Sequence, residues 1–151
     1  MGTHHKGSKK EISALNTYIK LVRAVESLNR RLYSSLSRYA LTESQFAVLE
    51  ALYHLGPMNQ RELSYKLLRS PGNVTMVIDN LEKRNFVKRE RGELDRRLYI
   101  IHLTPQGKDL IKRVFPEHLS SIVKELSVLS EEEQCTLQKM CKEIGLQKTD
   151  H

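Results

Sequence analysis

Between Ile12 and Tyr39, apolar residues recur in steps of three and four, at Ile12, Leu15, Ile19, Val22, Val25, Leu28, Leu32 and Leu36, with no Gly or Pro. That period predicts one long amphipathic helix. At 1.5 Å per residue it would run about 42 Å, farther than the core of a small domain is wide. Part of its stripe is therefore expected to pack on another chain. In the next segment Thr42 and Gln45 stand as a capping box, with Leu41 and Phe46 at the staple positions. The helix they open carries Leu49 and Leu52 and should stop at Gly56-Pro57. After an extended Met58, Asn59 and Glu62 form a second capping box for a third helix, with Leu63, Leu67 and Leu68 expected to face inward.

A fourth helix follows at once. Ser70 is its N-cap, Pro71 takes the first helical position, and Val74, Val77, Ile78 and Leu81 form the stripe to be buried. Two short helices meeting at a tight polar junction predict a helix-turn-helix. The pattern then switches to period two. Residues 86–91 and 98–103 read as two strands joined by the loop Gly92-Glu93-Leu94-Asp95-Arg96, which is a hairpin. Thr104-Pro105 starts a fifth helix with Pro116 inside it, where a kink is expected, and Ser130 and Glu133 box a sixth. The fold class is mainly α with a small β-hairpin: a winged helix-turn-helix flanked by N- and C-terminal dimerisation helices.

Composition adds direction. The chain has 151 residues, 39% of them hydrophobic and 28% charged, as in a soluble globular domain. No run approaches the roughly 18 apolar residues of a membrane span, and the start has no apolar signal core, so a cytoplasmic protein with no membrane partner is expected. Residues 1–10 read as a disordered start or tag remnant outside the fold, leaving one domain over 11–147. Net charge is +7, and its distribution matters more than its total. Residues 59–104 hold ten Lys/Arg against six Asp/Glu, whereas residues 105–151 hold seven against eight. The phosphate-facing surface therefore belongs to the middle of the chain or its N-terminal part. Cys135 and Cys141, six apart on a helix, are turned about 240° from each other and cannot bond within one chain. They read as semi-buried thiols, with redox sensing as the alternative. Histidines stand at no metal-ligand spacing, no catalytic triad order or glycine-rich phosphate loop occurs, and neither enzyme chemistry nor a cofactor is indicated.

The stretch LSYKLLRSPGNVTMVIDNLEKRNFVKRERGELDRRLYIIHLTPQGKDLI resembles the MarR family of bacterial transcription regulators. The matching features are Leu81-Glu82-Lys83 at the end of the helix-turn-helix, Asp95-x-Arg97 in the wing, and Leu103-Thr104-x-x-Gly107 after the second strand. The resemblance covers residues 11–147. One departure is Asn85, where the family usually has Gly, and Asn tolerates the same left-handed conformation.

The resemblance implies a homodimer, with dimerisation helices over 11–40 and 104–147 and a winged helix-turn-helix over 42–103. Its partner would be a double-stranded, pseudo-palindromic operator. On the fourth helix, Ser70, Pro71, Gly72, Asn73, Thr75 and Met76 make a small, uncharged start suited to the major groove. Asn73 and Thr75 can bond base edges, Met76 can touch a thymine methyl, and Asp79 would repel phosphate beyond the second turn. An ordinary solvated face would carry more long charged side chains. In the wing, Lys88, Arg89, Arg91, Arg96 and Arg97 are implied to meet phosphates or the minor groove, with Asp95 holding the Arg97 guanidinium or the loop backbone. The family's small effectors, often phenolic or other aromatic acids, suggest a cleft lined by Tyr18, Arg23, Tyr33, Tyr39 and Tyr53. Core packing accounts for the same tyrosines equally well. The rival reading is a winged-helix module that binds protein instead of specific DNA.

Overall fold

In the computed structural model, which describes residues 2–147, six α-helices and the two wing strands follow the predicted order, and a third short strand joins them. Helix α1 spans Lys9–Tyr33 and is continued by a 3-10 segment over Ser34–Tyr39. Helix α2 is Glu43–Leu55, strand β1 is Met58–Asn59, α3 is Gln60–Leu67 and α4 is Pro71–Lys83. The wing strands are β2 (Val87–Arg91) and β3 (Tyr99–Leu103), followed by α5 (Pro105–Leu126) and α6 (Glu131–Gly145).

Helix starts follow local chemistry. Reciprocal capping boxes open α1 (Ser8/Glu11), α2 (Thr42/Gln45), α3 (Asn59/Glu62) and α6 (Ser130/Glu133). The first of these places the start of α1 inside the stretch expected to lie outside the fold. Ser8 donates its N–H to the Glu11 carboxylate at 2.7 Å, and this bond holds the Glu11 carboxyl below its usual range. Further back, Thr3 donates its N–H to Asn16 Oδ1 at 2.8 Å. Met1 lies outside the described residues.

The predicted single helix over residues 12–39 changes pitch at Ser34. Ser34, Ser35 and Ser37 each donate their hydroxyl to the carbonyl three residues back, a local alternative that suits the tighter winding. Three helix ends then share one device. Ala40, Leu68 and Asn85 have φ of 51°, 50° and 60°, and the amide after each bonds a carbonyl five residues back. This is the left-handed ending that glycine usually supplies. It turns Leu68 out to 88% exposure, against the expectation that it faces inward.

The chain divides into two compact units between His118 and Leu119. In the first, Phe46, Leu49, Leu63, Ile78, Leu81, Ile101 and Ile111 are almost fully buried. The sheet order is β1-β3-β2, all antiparallel, so the hairpin has a third strand that the sequence reading took only as an extended residue. The motif Leu103-Thr104-x-x-Gly107 fastens α5 to this sheet. Thr104 Oγ1 donates to the Asn85 carbonyl at 2.6 Å and accepts from the Gly107 N–H at 3.0 Å. A Cβ on Gly107 would sit 2.0 Å from the Phe86 carbonyl oxygen, so only glycine fits.

The second unit holds the end of α5 and all of α6. Gln134 joins them by donating to the Leu126 and Leu129 carbonyls, both at 3.1 Å. Helix α6 buries no residue; Leu137, Met140 and Ile144 are exposed. Cys135 and Cys141, expected to be semi-buried, are exposed free thiols.

Candidate nucleic-acid interface

Helix α4 is amphipathic in the predicted phase. Val74, Val77, Ile78 and Leu81 are buried, and Ser70, Pro71, Gly72, Asn73 and Met76 are exposed. Ser70 Oγ caps the helix by accepting from the Asn73 N–H at 3.3 Å. Nothing lies within 4 Å of a Cβ built on Gly72, so no protein neighbour requires glycine there. Its lack of a side chain keeps the outer surface low, where a groove could approach the backbone.

Thr75 departs from its expected role of reading base edges. It is half-buried, donates its hydroxyl to the Pro71 carbonyl at 2.9 Å and accepts from the Gln60 amide. That hydroxyl links α3 to α4. Of the two polar side chains expected to meet base edges, only Asn73 is exposed. Gln60 was not foreseen, because its partner stands fifteen residues away and no local period reports it.

In the wing, Val87↔Leu103 through Arg91↔Tyr99 are the paired positions. Lys88 pairs with Glu90 at 2.5 Å, and this bond holds the Glu90 carboxyl below its usual range. The Arg91 guanidinium lies over the Tyr99 ring, 5.6 Å from its centroid. The tip is a compact turn. Gly92 donates to the Leu98 carbonyl at 2.8 Å, and Asp95 Oδ1 accepts from the Arg97 N–H at 2.9 Å. Asp95 thus holds loop backbone, the second of its two expected roles. The Arg96 and Arg97 side chains are exposed and make no ion pair among the described residues.

Arg89 is a correction. It shares the inward phase of Val87 on β2, and only 20% of its side chain is exposed. Nη2 meets Asp79 Oδ1 at 2.5 Å, Nη1 meets Glu82 Oε1 at 2.8 Å, and its own N–H donates to Glu82 Oε2 at 3.0 Å. Burial opposes this charge, but the hydrogen bonds and charges of Asp79 and Glu82 outweigh it and raise the Arg89 pKa. Its guanidinium is committed to α4 and is not offered to phosphate. The signal lay in the sequence: Asp79 and Glu82 are three apart on one helix face, and Arg89 has the strand phase that turns it toward them.

The five residues suggested for an effector cleft do not converge in the single chain. Tyr18 and Arg23 are exposed on α1. Tyr33 stacks on His118 at 5.4 Å and meets Phe46 edge-on at 6.4 Å. The Tyr39 hydroxyl donates to Glu117 at 2.9 Å, and Tyr53 packs against His54 at 5.0 Å. An apolar groove of about 430 Å³ opens elsewhere, floored by Ala47, Ala51, Leu67 and Phe115 and edged by Glu50, His54 and Lys66.

The MarR family model matches residues 41–99, the segment that forms this surface. Over 133 residues the chain is 35% identical to the HTH-type transcriptional regulator MhqR of Bacillus subtilis, covering 88% of this chain and 92% of MhqR. AbsC, a MarR family transcriptional regulator from Streptomyces coelicolor, shares 26% identity over 93% of this chain and 95% of its own, with a TM-score of 0.80. Bordetella bronchiseptica BpsR, whose DNA binding is regulated by 6-hydroxynicotinic acid, shares the fold with a TM-score of 0.82 at 20% identity, over 97% and 100% of the two chains. An α4 with an uncharged leading face, the wing beside it and these relatives agree: the chain belongs to the MarR family and is a DNA-binding transcription regulator.

Proposed function

We propose that the protein is a homodimeric, ligand-responsive repressor that reads a pseudo-palindromic operator in the bacterial cytoplasm, at the nucleoid, and catalyses no reaction. The observation that carries this reading is the pairing of two unlike surfaces. An exposed, uncharged helix start (Gly72, Asn73, Met76) stands in the same unit as the unpaired Arg96 and Arg97 of the wing tip. The first suits a major groove, the second a minor groove and its phosphates. In this reading residues 11–40 and 104–147 supply the dimer interface. Its support is the exposed apolar side chains on α1 (Tyr18, Val25) and on α6 (Leu137, Met140, Ile144), which a partner chain would cover. The effector is an aromatic acid, and the groove edged by Lys66 and His54 offers it a cation and a ring to stack on.

A genomic binding profile first supplies the operator. Fluorescence anisotropy on that duplex then measures affinity against salt. Eight phosphate contacts per dimer give a log–log slope of about −7. A slope near zero would overturn the reading and favour a protein-binding module. Sedimentation equilibrium should return a dimer at micromolar concentration, and a folded monomer would overturn the assembly. The effector arm uses 6-hydroxynicotinic acid as probe: release of the operator that is weakened in Lys66→Met supports the groove.

A further inference from the structure

Asp79 and Glu82 bring two carboxylates onto the helix proposed to enter the groove. Left bare, they would face a polyanion and lower affinity for every DNA sequence. Both are partly exposed, with 48% and 41% of their side chains open. Each nevertheless spends an oxygen on the same half-buried guanidinium, at 2.5 and 2.8 Å, and Glu82 also takes the Arg89 backbone N–H at 3.0 Å. A planar fork with two separated nitrogens can meet two carboxylates one helical turn apart, which a single ammonium cannot do as well.

We propose that Arg89 is a positioning residue that masks the α4 carboxylates from DNA, so that this pair sets the overall DNA affinity of the protein without touching DNA. This rests on the DNA-reading surface proposed above. Burial supports it: the Arg89 side chain is 20% exposed, while those of Asp79 and Glu82 are more than twice as open. The cation therefore lies beneath the anions, where it can neutralise them and cannot readily extend to phosphate. The triad carries one net negative charge, so the mask is incomplete. Affinity is held below what the basic wing alone would give.

The test is a charge cycle read by anisotropy on the operator and on a random duplex at two salt concentrations, with circular dichroism confirming the fold. Arg89→Met bares both carboxylates and should weaken binding to both duplexes on the order of tenfold. Arg89→Lys, which keeps the charge, should recover part of that loss. Asp79→Asn with Glu82→Gln removes the repulsion and should strengthen binding to both duplexes, more at the lower salt concentration. Arg89→Met should cost clearly less in the Asp79→Asn/Glu82→Gln background than alone, which is the coupling between the sites, and the triple variant should lie within about threefold of wild type. A triple variant as weak as Arg89→Met would overturn the proposal, because Arg89 would then act on DNA directly or only as a structural tie. Unchanged binding in the double variant would overturn it too, and that variant keeps Arg89, so it decides even if Arg89→Met does not fold. Loss of salt-dependent binding by the wild type would instead sink the DNA-reading surface itself.

Discussion

The Arg84 guanidinium donates to the carbonyl of Ala40 at 2.6 Å, joining the residue that follows α4 to the residue that ends the 3-10 segment. The same side chain reaches the Tyr39 carbonyl and Gln45 Oε1, both at 3.3 Å, and lies 4.9 Å from the Phe86 ring centroid. Carbonyls at a helix end lack intrahelical partners, and Arg84 supplies them. Tyr39 in turn donates its hydroxyl to Glu117 on α5. The C-terminal end of α4 is therefore fixed to the corner before α2. Arg84→Met should lower unfolding free energy by about 1–3 kcal/mol in urea titrations. Arg84→Lys should recover only part of it, since one ammonium cannot span three acceptors. Equal stability of all three proteins would show the contacts to be idle.

Stability should also fall in mild acid through His118. His118 is 4% exposed, its ring stacked on Tyr33 and 4.5 Å from the Phe46 ring centroid, and Nδ1 has no hydrogen-bond partner among the described residues. Burial lowers its pKa, outweighing the opposing influence of Glu50 and of the hydrogen bond to the Leu32 backbone. A histidine with a depressed folded pKa takes up its proton more readily when unfolded. Its contribution is thus complete above the unfolded value of about 6.5 and is lost as pH falls toward the folded pKa. Urea midpoints at pH 7.5 and 5.5 measure this. His118→Phe should flatten the difference, and an unchanged pH dependence in that variant would assign it to other groups.

Gly107 makes the sharpest packing prediction. Because the intruding atom is the Phe86 backbone carbonyl, Gly107→Ala cannot be relieved by a rotamer change. The expected loss is about 3 kcal/mol or more, in the range of severe overpacking. A melting temperature close to wild type would mean that α5 and the sheet slide apart more easily than their Thr104 bonds suggest.

Leu68→Gly should act in the opposite direction. The residue sits at φ 50° with its side chain in solvent, so glycine removes left-handed strain and loses little packing. A gain of about 1 kcal/mol is expected in the same urea titration. A loss would reveal that the exposed leucine is covered in solution.

In the proposed DNA complex the two elements divide the work. Asn73→Ala should erode discrimination between operator and random DNA by about 1–3 kcal/mol and leave random-sequence affinity nearly intact. Arg96→Ala or Arg97→Ala should weaken both and reduce the salt slope by about one per contact. Asp95→Ala should act by loosening the loop backbone it bonds. Thr75→Val should lower stability more than Ala at Asn73, because it strands the Gln60 amide. Anisotropy on two duplexes separates these effects, and identical profiles for Asn73→Ala and Arg96→Ala would refute the division.

What could be read in advance was whatever a short stretch of chain decides. The boxes at Thr42/Gln45, Asn59/Glu62 and Ser130/Glu133, the Ser70-Pro71 start and the buried stripe of α4 depend on neighbours within one or two turns. Partnerships that the topology creates were not legible. Tyr39 and Glu117 are 78 positions apart, and Arg84 and Ala40 are 44 apart. Arg89 lies between these extremes. Its phase on the strand and the Asp79/Glu82 spacing were present, yet a basic residue in a wing is ordinarily read as facing DNA. The tyrosines dispersed because aromatic residues on amphipathic helices serve packing as readily as binding.

The short strand β1 gives the wing two mechanical regimes. It pairs with Ile100 and Ile101, so β3 is the middle strand of the three-stranded sheet and is held on both edges as far as Ile100, the neighbour of Tyr99. Beyond the Arg91↔Tyr99 pair, residues 92–98 project with no strand beside them. On the picosecond-to-nanosecond timescale, backbone order should stay high through Arg91 and drop across the loop. Freezing upon complex formation then falls on a few tip residues, so the entropic penalty of docking stays small. In the proposed DNA complex the paired strands set the direction of approach, and the tip conducts only a local search along the groove.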